Sequence, residues 1–245
     1  MKAAIMQPYF LPYIGYFQLI SCVDLFVVYD NIEYTKKGWI NRNRLLKNGT
    51  DLTFTIPLKN DSDFLQVQQR EVAADFRRDK LLNQIVEAYR KAPQFQAVMP
   101  LIKRIVCFEE RNLFRYLEFS IVEVCRYVAI TTPFVVSSTL SIDHSLKSQE
   151  KVVAICKAVG ASHYVNSIGG ATLYSAERFR LSGIDLSFLK CASRPYAQFG
   201  QPFVPSLSIL DVLMFNAPED IHRMLTEYEL IEAGSSALSG AGSLT

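Results

Sequence analysis

Apolar and polar positions fall into two rhythms along this chain. Short apolar runs closed by a polar or turn residue predict buried strands at 2–6 (KAAIM), 24–30 (DLFVVYD), 133–138 (PFVVSS), 163–167 (HYVNS) and 184–190 (IDLSFLK). The alternating segment 52–58 (LTFTIPL) predicts a further strand, antiparallel given its short link. Between these runs, apolar residues recur every three to four positions. That spacing predicts a helix from Tyr13, three helices over 80–92, 99–110 and 112–128, and others over 148–161, 172–183 and 206–216. Pro8 and Pro12 remove two backbone donors after the first strand, which ends it there. Strand, turn, short helix, strand is a βαβ opening. The expected fold is therefore α/β, with a mostly parallel, Rossmann-like sheet. A three-helix block is inserted at about 76–130, and the whole forms one domain over 1–232. From Ala233 onward the residues are small and polar, which predicts a flexible tail over 233–245.

Composition narrows the reading. The chain has 245 residues, 49% of them hydrophobic and 20% charged, which fits a globular protein with a substantial core. A net charge of +2 gives no reason to expect nucleic acid or an acidic membrane as partner. Five cysteines, an odd number with no CxxC pair, predict buried free thiols in a reducing compartment. The N-terminus lacks the apolar stretch of a signal peptide, and no apolar run reaches the ~20 residues that span a bilayer. A cytoplasmic location is expected.

In an open α/β sheet, ligands bind beyond the carboxyl ends of the strands. The residues that follow each predicted strand are correspondingly polar. Gln7 and then Tyr13, Gly15 and Tyr16 follow the first, and Asp30 closes the second. Asn166, Gly169 and Gly170 follow 163–165, and Tyr196 and Gln198 follow 184–190. The segment YTKKGWINRNR (34–44) gathers Lys36, Lys37, Arg42 and Arg44 around Trp39, with Asn41 and Asn43 between. Cations, a planar ring and amides suit a phosphate-bearing, planar ligand such as a nucleotide or sugar nucleotide. Asp30, at a strand end, is a candidate general base. His144, beside Asp143 and in a chain that also carries Ser137 and Ser138, is a second acid–base candidate. The three histidines lie in separate segments without metal-ligand spacing, so no metal site is expected.

The segments AIMQPYFLPYIGYFQLI, DLFVVYDNIEYTKKGWINRNR, YVNSIGGATLY and SLSILDVLMFN resemble the WbqC-like family of bacterial proteins. The resemblance covers the chain up to about Ile231. It implies a place in O-antigen or other surface-polysaccharide synthesis, with transfer of an acyl or aminoacyl group to an amino-sugar nucleotide. An aminoacyl donor needs activation, most simply by ATP with magnesium. A looser resemblance concerns Tyr13-Ile14-Gly15-Tyr16. It stands where nucleotidyltransferases and class I aminoacyl-tRNA synthetases carry the His-x-Gly-His of their HIGH loop, with both histidines replaced by tyrosine. The alternatives to a transferase are a non-catalytic nucleotide-sugar scaffold and a nucleotidyltransferase of that type. Oligomeric state is not legible in the sequence.

Overall fold

The computed structural model describes residues 1–62, 64–192, 194–200 and 202–235. Its centre is a six-stranded sheet of β1 (Lys2–Met6), β2 (Leu25–Val28), β5 (Phe134–Val136), β6 (His163–Ser167), β7 (Asp185–Cys191) and β8 (Tyr228–Glu232). The spatial order is β5-β2-β1-β6-β7-β8. Five strands run parallel, and β8 pairs antiparallel with β7. The chain thus builds outward from β1 to one side and then returns to build from β6 on the other.

Both faces of the sheet are covered, which is why its strands read as continuous apolar runs. Ala4, Val28, Val165 and Leu189 face a large core shared with most of the helices. Ala3, Ile5, Val27, Tyr164 and Phe188 face a smaller core closed by α5 (Ser148–Ala158) and α6 (Ala176–Leu181). Between β2 and β5 the chain makes a two-stranded hairpin, β3 (Arg42–Lys47) and β4 (Thr50–Thr55). Three helices follow: α2 (Arg78–Tyr89), α3 (Phe95–Val106) and α4 (Leu113–Tyr127). All three bury apolar stripes in the larger core.

Several boundaries differ from the expectation. The strand expected over 52–58 starts at Thr50 and belongs to the hairpin rather than to the main sheet. Residues 42–44, expected in a binding loop, are the first half of its partner strand. The helix expected to start at 99 begins at Phe95 and runs through Pro100, ending before Cys107. The segment 168–173 is a 3-10 turn, which shortens α6 to six residues. The last expected helix is α7 (Ile209–Phe215), and beyond it lie α8 (Pro218–Thr226) and β8, which were not expected. Of the expected tail, residues 236–245 lie outside the described residues, and the Ala233 amide still donates to the Leu186 carbonyl at 2.9 Å.

Candidate functional site

The carboxyl ends of β2 and β5 hold the densest set of buried polar groups. Asp30, two residues past β2, is only 1% exposed. Directly after β5 the backbone tightens into a 3-10 turn over Ser137–Thr139, which presents both serines to Asp30. Ser137 Oγ lies 2.8 Å from Asp30 Oδ1, the Ser138 amide donates to the same oxygen at 3.0 Å, and Ser138 Oγ donates to Oδ2 at 2.6 Å. Ser137 Oγ also lies 2.7 Å from the Asn31 side-chain amide, whose other end meets His144 Nδ1 at 2.9 Å. His144 Nε2 lies 3.0 Å from the Leu140 carbonyl, and the ring is exposed to solvent. The two acid–base candidates, Asp30 and His144, are therefore joined through Ser137 and Asn31.

Lys151, in the first turn of α5, closes the cluster from the opposite side at 3% exposure. Its ammonium donates to the main-chain carbonyls of Asn31 (3.3 Å) and His144 (3.4 Å) and lies 5.2 Å from the Tyr29 ring centroid. Burial pushes the Lys151 pKa down and Lys147 adds to that, while the Asp30 charge opposes it. Glu118 of α4 is pushed up, first by burial and then by the Asp30 charge. The sequence pattern concealed Lys151: it occupies the position where a capping box carries Glu or Gln, so it read as a helix-start residue.

The opening turn is stapled from three sides. Asn43 Nδ2 donates to the carbonyls of Phe10 (3.2 Å) and Leu11 (2.9 Å), Ser208 Oγ donates to Leu11 at 2.7 Å, and the Phe10 amide donates to Ile40. These bonds hold the buried Leu11 at φ 43°, a left-handed value that a leucine adopts only when its surroundings impose it. Tyr13 is the N-cap residue of α1 (Ile14–Ser21). Its ring covers Gly15, where a Cβ would lie 2.4 Å from Tyr13 Cε2. The tyrosine ring thus fills the space that an approaching nucleotide backbone contact would use. Burial, with Cys191 and Tyr9 adding, pushes the Tyr13 phenol up to about 12. Tyr16 is buried and donates to the Gln7 carbonyl at 2.9 Å, and the Gln7 side chain accepts from Tyr9 at 3.4 Å.

The basic stretch splits by role. Asn41 is buried, accepting from Tyr34 (2.8 Å) and donating to the Ile56 carbonyl (2.7 Å). Arg42 donates to the carbonyls of Gly38 (2.9 Å) and Lys37, which locks the loop before β3. Arg44 donates to the Ser206 carbonyl at 3.0 Å and pairs with Asp51 at 3.4 Å. Both guanidinium groups also lie over the Trp39 ring, at 5.5 and 5.6 Å, and that ring is 45% exposed. Lys37 is exposed. The result is an open aromatic plate backed by two arginines.

Asn166, at the end of β6, is buried and accepts from the Ser167 amide at 2.8 Å, with Gly170 facing its amide group. Gly169 and Gly170 lie in the 3-10 turn Ile168–Leu173. Tyr196 and Gln198 converge elsewhere, donating to Asp211 Oδ2 at 2.6 and 2.7 Å, while Tyr89 donates to Oδ1 at 3.0 Å. Burial pushes the Asp211 pKa up, and these three donors pull against it. The cysteines are free; burial pushes the thiols of Cys22, Cys125 and Cys156 up to about 12 and that of Cys191 to about 11. Such thiols are poor nucleophiles. Among the described residues, no group of three or more His, Cys, Asp or Glu side chains is placed to hold a metal ion. No helix there is long and apolar enough to cross a membrane.

Comparison with known proteins adds two matches. A Mycobacterium tuberculosis (strain ATCC 25618 / H37Rv) protein, "Uncharacterized protein Rv1507c", is 28% identical over 220 residues, spanning 88% of this chain and 93% of its own. No solved structure matches. The model of the WbqC-like protein family matches residues 7–223, which take in the opening turn, the Asp30–His144 cluster, the hairpin and Asn166, and the chain belongs to that family.

Proposed function

We propose that this protein transfers an acyl or aminoacyl group to an amino-sugar nucleotide in the synthesis of a bacterial surface polysaccharide. In this reading residues 1–232 form one Rossmann-like domain, the three helices over about 76–130 are an insertion, and 233–245 are a tail. The observation that carries the proposal is the set of acid–base groups at the carboxyl edge of the sheet. There an exposed imidazole is wired to a buried carboxylate beside a buried lysine.

Acyl transfer to an amine needs a group that exchanges protons with the reacting atoms, and His144 is the member of the cluster open to a ligand. Asp30 acts through Ser137 and Asn31 to orient that ring. Trp39, backed by Arg42 and Arg44, offers a stacking plate for a nucleobase, and Lys37 a cation for phosphate. Gln7 directly follows β1 and Asn166 is the penultimate residue of β6, the neighbouring strands from which the chain builds in opposite directions, where ligands of such sheets bind.

The strand order favours a second reading as well. The chain builds in opposite directions from the neighbouring strands β1 and β6, and a crevice at that point suits ATP with magnesium for activation of the donor, away from Gly15, which the Tyr13 ring covers.

A thermal-shift series separates these readings from a non-catalytic scaffold. At 100 times its dissociation constant a ligand adds about 2.7 kcal/mol. That raises Tm by about 5–10 °C in a chain of this size. A shift with UDP- or dTDP-linked amino sugars that shrinks in Trp39→Ala supports the transferase, provided acylated sugar nucleotide then forms on addition of an activated acyl donor. Binding without product supports the scaffold. A shift confined to ATP with magnesium supports donor activation, and no shift with any of them overturns the nucleotide-ligand reading.

A further inference from the structure

We infer that the hydrogen-bonded chain from Leu140 through His144, Asn31 and Ser137 to Asp30 holds one proton more than a carboxylate and a neutral imidazole bring to it, and that this proton rests on His144.

The inference is a count of hydrogens. Four contacts in line each need one: Leu140 O to His144 Nε2 (3.0 Å), His144 Nδ1 to Asn31 (2.9 Å), Asn31 to Ser137 Oγ (2.7 Å) and Ser137 Oγ to Asp30 Oδ1 (2.8 Å). The Leu140 carbonyl brings none. A neutral imidazole brings one, the Asn31 amide brings one because only one of its two ends donates along the line, and the Ser137 hydroxyl brings one. A carboxylate brings none. Three hydrogens must fill four contacts, so one pair of acceptors would face each other across less than 3.1 Å with nothing between them. A fourth proton removes the conflict.

Asp30 is the poorer place for it. Besides Ser137, the carboxyl accepts from the Ser138 amide (3.0 Å) on Oδ1 and from the Ser138 hydroxyl (2.6 Å) on Oδ2, so both of its oxygens already face hydrogens. His144 is exposed, so water shares its charge. With the proton there, Nε2–H donates to Leu140 and Nδ1–H donates to the Asn31 oxygen. The Asn31 nitrogen then donates to Ser137, and Ser137 donates to Asp30. This sets the Asn31 amide with its oxygen toward His144, an orientation that heavy-atom positions leave open. The charged groups facing this chain come from three other places. Lys151 of α5, whose ammonium meets the His144 carbonyl, opposes a charge on the ring, Asp143 beside it favours one, and Glu118 of α4 faces Asp30.

The assignment deepens the transferase reading and rests on it for its chemistry: His144 starts the cycle as an acid. The acceptor amine forms a bond to the acyl carbon of a thioester or acyl-ester donor, and the bond from that carbon to sulfur or oxygen breaks. The leaving atom takes the His144 proton, and the surplus proton of the new amide nitrogen returns to the ring, which restores it.

The proton can be read without substrate. Nitrogen-15 NMR of histidine-labelled protein at about pH 7.5, where a free imidazole is mostly neutral, reports each ring nitrogen; His144→Gln assigns the signals. The expected result is both His144 nitrogens protonated in the native protein and in Ser137→Thr, but only one in Ser137→Ala, which removes the two contacts of the hydroxyl with its one hydrogen and leaves the imidazole and amide hydrogens to fill the two contacts that remain. A singly protonated ring in the native protein overturns the inference, whatever Ser137→Ala does. So does a ring that stays doubly protonated in a folded Ser137→Ala, since the chain would then not be its cause. Neither result bears on the ligand-binding test, so the two proposals fail separately.

Discussion

Asp211 shows what a single residue can demand of this fold. Its carboxyl is fully buried among three neutral donors, Tyr89, Tyr196 and Gln198, and Tyr89 in turn accepts from the Leu46 amide of the hairpin at 2.9 Å. Burial raises its pKa, so the folded state holds the proton more tightly than the unfolded chain. Stability from this group is therefore lost as pH rises from the ordinary carboxylate range through the raised folded value. The donors limit that loss, and they matter most where the group is ionised. Tyr196→Phe is expected to cost about 1–3 kcal/mol at pH 7.5 and clearly less at pH 4.5, measured by urea unfolding against the native protein at each pH. Equal losses would mean that Asp211 does not change its ionisation between the two pH values. Sequence reading found Tyr196 and Gln198 through their place after a strand but could not see that their polar atoms meet a carboxylate thirteen to fifteen residues on. It found Asp30 and His144 for a similar reason. It missed that Asn31 and Ser137 join them, because a contact across 106 to 113 residues leaves no local pattern.

At the scale of elements, the hairpin is the instructive case. Its turn is Asn48-Gly49, with φ of 52° and 78°, and Lys47 pairs directly with Thr50. Two positive φ values in a two-residue loop are the type I′ geometry that follows the strand twist, and Asn-Gly is its strongest sequence signal. That signal was present, yet β3 went unread because RNRLLK is half cationic. Its alternation makes sense only once Asn43 and Leu45 are seen to face inward and Arg42 and Arg44 outward. The helices α2 and α4 were legible because their apolar stripes are long and regular, whereas Pro100 hid the first turn of α3. Gly49→Ala puts a side chain at φ 78°, at a cost of about 1–2 kcal/mol. A Tm lower by about 2–8 °C is expected. Because β3 carries Arg42 and Arg44 beneath Trp39, the same variant should weaken any ligand that stacks on that ring. An unchanged Tm would show that the turn relaxes to another form.

The molecule as a whole depends on a strand that lies outside the family match. That match ends at residue 223, inside α8, but the sheet ends at β8. β8 pairs with β7 over Ser187–Cys191, buries Ile231 opposite Phe188, and is led in by Gln18 of α1, which donates to the Met224 and Glu227 carbonyls. Its sequence, YELIE, is too short and too charged to announce a strand. What makes it one is the unpaired edge that β7 offers, a property of the assembled sheet rather than of the segment. A chain ended after Glu227 keeps the whole of the family match but bares that edge, together with apolar surface that Ile231 now covers. Burying one such side chain is worth about 1.5–3 kcal/mol, and the lost strand pairing adds to it. The truncated chain should therefore melt at least about 3–12 °C lower than the full chain. It should also associate with itself, because an open apolar edge recruits another strand. Scanning calorimetry and light scattering on both chains would read the two effects. A truncated chain that stays monomeric with an unchanged Tm would mean that β7 closes the sheet unaided, and that the family match marks the true end of the folding unit.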